Sequence, residues 1–122
     1  MADSPVTSFA GPSVWIAKGV LQTQWTAWAG VTTGLPVTAP NLPDKTVAVH
    51  GTWGSATFVI EGSSDGTNYF TLNDSRGEGN PISLTADNVV MIAENPKHIR
   101  GKTTGGTNTA LTVTITSQSP QR

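Results

Sequence analysis

The chain has 122 residues, a formal net charge of -1, 12% charged residues and no cysteine. Its length suits a single domain that buries its own core without covalent staples. The near-neutral charge provides no field for holding a nucleic-acid backbone or an anionic membrane, and disulfides and thiolate metal sites are excluded.

Gly 13 and Pro 8, with abundant Thr and Val and few Leu, Glu and Lys, favour short strands separated by turns over helices. At the start, "MADSPVTSFAGPS" lacks a sustained period. It has no basic region followed by an apolar one, and no later apolar run approaches the roughly 20 residues that cross a bilayer. A soluble, uncleaved protein is expected. Next, "VWIAKGVLQTQWTAW" reads as one long strand or as a strand broken near Gly19. It carries Trp15, Trp25 and Trp28, three of the four tryptophans. Packed on their own sheet these are core; left outside they suit interface hot spots, where Trp is enriched. Then "GVTTGLPVTAPNLPDK" places Pro36, Pro40 and Pro43 close together, which predicts an extended path with few ladder hydrogen bonds, lying along another surface. Residues 1–45 are therefore expected to form an extended N-terminal arm with the first strand or strands. Removal of residues 1–28 is expected to leave a folded remainder.

From residue 46 onward the period is two. "KTVAVHGTW" sets Val47 and Val49 against Thr46, Ala48 and His50, and "ATFVIEG" sends Phe58 and Ile60 inward after a turn at Gly54. "EGSSDGTNYFTL" reads as a hairpin, with Asp65-Gly66 at a tip whose polar side chains bond their own backbone. Phe70, Leu72, Ile82 and Leu84 are predicted core. "NVVMIAE", apolar on both faces, reads as a central strand. "KHIRGKT" turns Ile99 inward and His98, Arg100 and Lys102 outward, and "NTALTVTITSQ" alternates Leu111, Val113 and Ile115 with threonines. "NDSRGEGNP" and "TTGGTN" read as further hairpin tips. About seven short strands spaced by turns predict an all-β fold, a single antiparallel β-sandwich, Ig-like or jelly-roll-like, over 46–116, with a tail at 117–122.

Catalytic patterns are poorly matched. His50, Ser55 and Asp65 have the residue types of a nucleophilic triad, but Ser55 sits in a "WGSA" turn without the strand-to-helix elbow of a hydrolase. Asp65, Asp74, Glu78 and Asp87 fall in predicted turns, where carboxylates shape the backbone rather than pair for glycoside hydrolysis. Asp65, Asn68, Asn73 and Asp74 supply oxygen ligands without the spacing of a calcium loop. "TGGT" lacks the Gly-Lys-Ser/Thr ending of a phosphate loop. No catalytic, cofactor or metal residue is assigned. The basic stripe of His98, Arg100 and Lys102 is either a solvated strand face or a docking surface for an acidic protein patch. Without interleaved aromatics it does not make a nucleic-acid platform.

The stretches "VHGTWGSATFVIEGSSDGTNY" (49–69) and "IRGKTTGGTNTALTVTI" (99–115) resemble small tailed-bacteriophage virion structural proteins of the capsid decoration, or cement, type. The likeness extends over about residues 30–116. In those relatives a proline often follows the arginine where this chain has Gly101, and the Trp-rich start is less uniform. The resemblance implies a non-enzymatic protein made in the host bacterial cytoplasm and carried on the outer capsid surface of the virion. There it would bind the major capsid protein, as a homo-oligomer, with no cofactor, nucleic acid or membrane partner. Trp15, Trp25, Trp28, Pro36, Pro40, Pro43, His98, Arg100 and Lys102 are the interface candidates. A phage tail, neck or fibre domain, a carbohydrate- or receptor-binding module, and a hydrolase are the competing expectations.

Overall fold

The two-residue periods become strands, and the described residues of the computed structural model, 6–9, 13–28, 32–34, 36–75 and 80–119, contain no helix. In chain order the strands begin with β1 (Val6–Phe9), β2 (Ser13–Ala17), β3 (Val20–Trp28), β4 (Thr32–Gly34), β5 (Val37–Thr38) and β6 (Asp44–Thr52). They continue with β7 (Thr57–Ser63), β8 (Phe70–Thr71), β9 (Ser83–Leu84), β10 (Asn88–Met91), β11 (His98–Thr104) and β12 (Ala110–Gln118). A five-stranded sheet has the order β10-β6-β12-β3-β2, and a seven-stranded sheet runs β1-β4-β11-β7-β8 with β5 on β11 and β9 on β7. All pairings are antiparallel except that of β1 with β4, which is parallel. The sheets pack as an antiparallel β-sandwich, as the alternation predicts.

The core between the sheets is built by the predicted inward residues. Val47 and Val49 of β6 and Leu111, Val113 and Ile115 of β12 meet Phe58 and Ile60 of β7 and Ile99 of β11, all buried. Trp25 and Trp28 join them, at 1% and 0% exposure. Trp28 stands edge-on to both Trp25 and Phe58, with ring centroids 5.4 and 5.6 Å apart, the geometry that aromatic quadrupoles favour. Its indole N–H donates to Thr103 Oγ1 at 2.8 Å, so this buried donor is satisfied. Two glycines make room for it. A Cβ on Gly34 would lie 2.6 Å from Trp28 Cη2, and one on Gly101 would lie 2.6 Å from Phe58 Cζ and 3.1 Å from Trp28 Cη2.

Several expectations change. Of the described residues before 46, those of β3 lie between β12 and β2, and Val37, Ala39 and Leu42 are core. The "TTGGTN" segment at 103–108 is not a hairpin tip, and it and the turn at 53–56 join different sheets, because β6 and β12 belong to one sheet and β7 and β11 to the other. They are two crossings between sheets, held side by side by Thr107 N donating to Gly54 O and Thr109 Oγ1 donating to Trp53 O. β10 is an edge strand rather than a central one, so its second apolar face, Val89 and Met91, is exposed. Phe70 is 71% exposed rather than core, because the two-residue β8 ends the sheet beyond the cover of the opposite layer. The segment 61–72 is a hairpin as expected, with Glu61 paired to Thr71 and Gly62 to Phe70. The middle of the "NDSRGEGNP" turn, Glu78 included, and the end of the tail lie outside the described residues.

Candidate interaction surface

The proposed contact residues separate into three groups. Trp25 and Trp28 are interior and unavailable to a partner. The Pro-rich run lies on its own sandwich, with Thr38 and Val37 of β5 paired to His98 and Ile99 of β11. Pro36 and Pro40 face solvent and Pro43 is half-buried. Two side chains clamp the turn that follows β5. Lys45 Nζ donates to the carbonyls of Ala39 and Leu42 at 3.0 and 2.8 Å, and Asn95 Nδ2 donates to Pro40 O at 3.0 Å.

The basic stripe forms as predicted, with His98, Arg100 and Lys102 on the outward side of β11, but it is braced within its own sheet. Arg100 faces Glu61 across the ladder, with Nε and Nη2 at 3.0 and 2.9 Å from Glu61 Oε1. The guanidinium carbon also lies 3.7 Å from the Tyr69 ring centroid, a cation–π contact. His98 Nδ1 and Thr38 Oγ1 are 2.8 Å apart. Lys102, between Thr33 and Val59, has no ion pair among the described residues.

Trp15 stands differently. It lies on β2, the edge strand of the five-stranded sheet, and is 59% exposed between Val14 and Ile16, which are also exposed. A bulge between Trp15 and Ala17 breaks the register with β3. The inward-side pairs of this hairpin are Ser13 with Thr23, joined through their hydroxyls at 2.7 Å, and Trp15 with Leu21. Three consecutive large apolar residues in solvent, on a strand whose outer edge has no neighbour among the described residues, form the pattern of an interaction site. A break near Gly19 (φ 75°) was one of the two readings the sequence left open; that it turns a hairpin, with β2 at the edge, was not legible.

The carboxylates weighed for chemistry in the sequence hold loops. Asp65 accepts from the backbone N–H groups of Asn68 and Thr67, the Asn68 amide and the Ser63 hydroxyl. These donors, the Asn68 backbone first, hold its carboxyl well below the usual range. Asp87 Oδ1 accepts from Trp53 Nε1 at 2.8 Å and Gly51 N at 3.1 Å, which lowers its pKa as well. The candidate calcium ligands are divided: Asn73 bonds Glu94 through its backbone and side chain, and Asn80 donates to Asp74. Among the described residues no three His, Cys, Asp or Glu side chains gather as a metal site. His50 pairs with Thr112 on one sheet while Asp65 caps a tip of the other, so the nucleophilic triad is not assembled. A shallow groove of about 480 Å³ runs beside that tip between Phe70, Leu72, Pro96 and Glu94. No helix of the described residues is long and apolar enough to cross a membrane.

The fold and this surface define a two-layer antiparallel β-sandwich with an exposed apolar edge hairpin. No known protein family matches the sequence, and no curated protein does. The fold is similar to that of the SPBc2 prophage-derived protein YomS, seen in its crystal structure. The TM-score is 0.56 at 14% identity, covering 82% of this chain and 95% of that one.

Proposed function

We propose that this chain is a non-enzymatic structural protein of a tailed-phage virion, of the capsid decoration type. It binds the outer surface of the head and stabilises contacts between major capsid protein subunits. The observation that carries this reading is the β2 hairpin, whose outer edge, without a neighbour among the described residues, offers backbone donors and acceptors beside an exposed Trp15. Strand addition at such an edge supplies main-chain hydrogen bonds, and a Trp seated in a pocket supplies the anchor. On a capsid the contact repeats at every equivalent site, so a modest single affinity becomes lasting attachment. The likeness of the fold to a prophage-derived protein and the sequence resemblance to virion proteins support the same reading.

Cosedimentation with empty capsids tests it. The wild-type protein pellets with the particles, and Trp15→Ser, which alters an exposed side chain, reduces the bound fraction at least tenfold, equivalent to about 1.4 kcal/mol. Absence of the wild-type protein from the pellet would reject the reading. The groove beside Phe70 favours a second one, a saccharide-binding module, since an exposed aromatic ring beside hydrogen-bond acceptors accommodates a sugar. Binding to a glycan array without binding to capsids would select it.

A further inference from the structure

The pairing register lays out the outward side of the five-stranded sheet residue by residue. Directly opposed residues in an antiparallel ladder share a face. Met91, Thr46, Thr116, Gln22 and Val14 therefore form one row across all five strands. Val89, Ala48, Thr114 and Gln24 form the row beside it, with Gln24 Nε2 donating to Thr114 Oγ1 at 3.1 Å. His50 and Thr112 begin a third. These rows contain no Lys, Arg, Asp or Glu; carboxylates stand at their margins, Asp44 at the end of β6 beside Gln118 and Asp87 beside Ala48, His50 and Val89. The outward side of the other sheet is charged, with Arg100 paired to Glu61 and Lys102 beside Val59.

We propose that this uncharged face packs against the same face of a second copy, forming a two-fold dimer of sandwiches. The pattern is self-complementary. β12 is the middle strand, and its outward threonines have apolar residues on both flanks, Val89 and Met91 on β10 and Val14 on β2. A two-fold axis along β12 lays β10 of one copy over β2 of the other. Apolar flank then meets apolar flank and hydroxyl row meets hydroxyl row, an isologous contact whose rows carry no ion, with the Asp44 and Asp87 carboxylates left at its margin. A charged partner surface would leave its ions unpaired against these rows. Size agrees: five strands about 4.8 Å apart and up to nine residues at about 3.4 Å give a face of roughly 600 Å², near the roughly 800 Å² per partner of a standard specific interface.

Sedimentation velocity over the micromolar range tests the dimer on the full chain. The wild-type protein sediments as a dimer. Thr114→Arg, an outward position near the axis, sediments as a monomer with an unchanged circular dichroism spectrum, and Thr71→Arg on the other sheet remains dimeric. Because the chain has no cysteine, Thr114→Cys supplies a second measurement that does not depend on the arginine variant folding: oxidation links two copies through the introduced thiols. A wild-type monomer across the range, or a dimer that survives Thr114→Arg and does not cross-link through Thr114→Cys, overturns the proposal. The virion reading is tested separately. A monomer that pellets with capsids removes the dimer and leaves the decoration role, whereas a dimer that ignores capsids does the reverse.

Discussion

Lys45 points inward from β6 and donates its ammonium to Oδ1 of Asn95, while the amide of Asn95 donates to the carbonyl of Pro40. Together they fasten the 39–42 turn, so that a Pro-rich run with few ladder bonds of its own is fixed to the sandwich from inside. Lys45 is 1% exposed, and burial pulls its pKa below 10.5 against the opposing field of Asp44.

Replacing Lys45 by Met keeps the stem and deletes the donor. The carbonyls of Ala39 and Leu42 and the Asn95 side-chain oxygen then lose a partner. Unsatisfied buried polar groups of this kind cost about 1–3 kcal/mol each, moderated where water enters. Urea unfolding of Lys45→Met is expected to show a loss of about 2–4 kcal/mol with an unchanged m-value.

Trp28 ties the start of the chain to its middle through Phe58 and Thr103. Trp28→Ala is expected to destabilise by about 3–5 kcal/mol, the range for emptying a large aromatic site. Deletion of residues 1–28 removes β3 and exposes the flank of β12. Loss of a cooperative thermal transition is the expected outcome, in place of the folded remainder that the sequence predicts.

Gly101→Ala probes the packing beneath that indole. The added methyl would sit 2.6 Å from Phe58 Cζ with the Ile60-bearing strand fixed alongside, an overpacking worth about 1–3 kcal/mol. A thermal melt measures it. The same contact explains why this position is glycine here.

Asp65 sets a pH dependence for the tip at 63–68. Its folded pKa lies below the unfolded value, so its contribution is complete above the ordinary carboxylate range and is lost as pH falls through the depressed folded value. By NMR, the amide protons of Thr67 and Asn68 are expected to keep their shifts while other exposed carboxylates protonate, and to move only in stronger acid. In Asp65→Ala the shifts differ at every pH.

The inward sets Val47/Val49, Phe58/Ile60, Ile99 and Leu111/Val113/Ile115 were legible because alternation of side chains along a strand is a local property. The Asp65-Gly66 tip was legible for a similar reason, and the break at Gly19 as one of two open readings, since tight reversals need particular backbone angles. Gly54 and Gly105 carry that same signal, yet a turn that re-enters its sheet and one that crosses to the other require the same residues. Whether Trp28 would be buried depended on close approach to Gly101, which is remote from it in sequence, as well as to Gly34. Local chemistry determined which side chains share a face within each strand. Long-range pairing alone decided which strands became edges and which residues line up across the sheet, because the neighbours that bury a strand are supplied by distant parts of the chain.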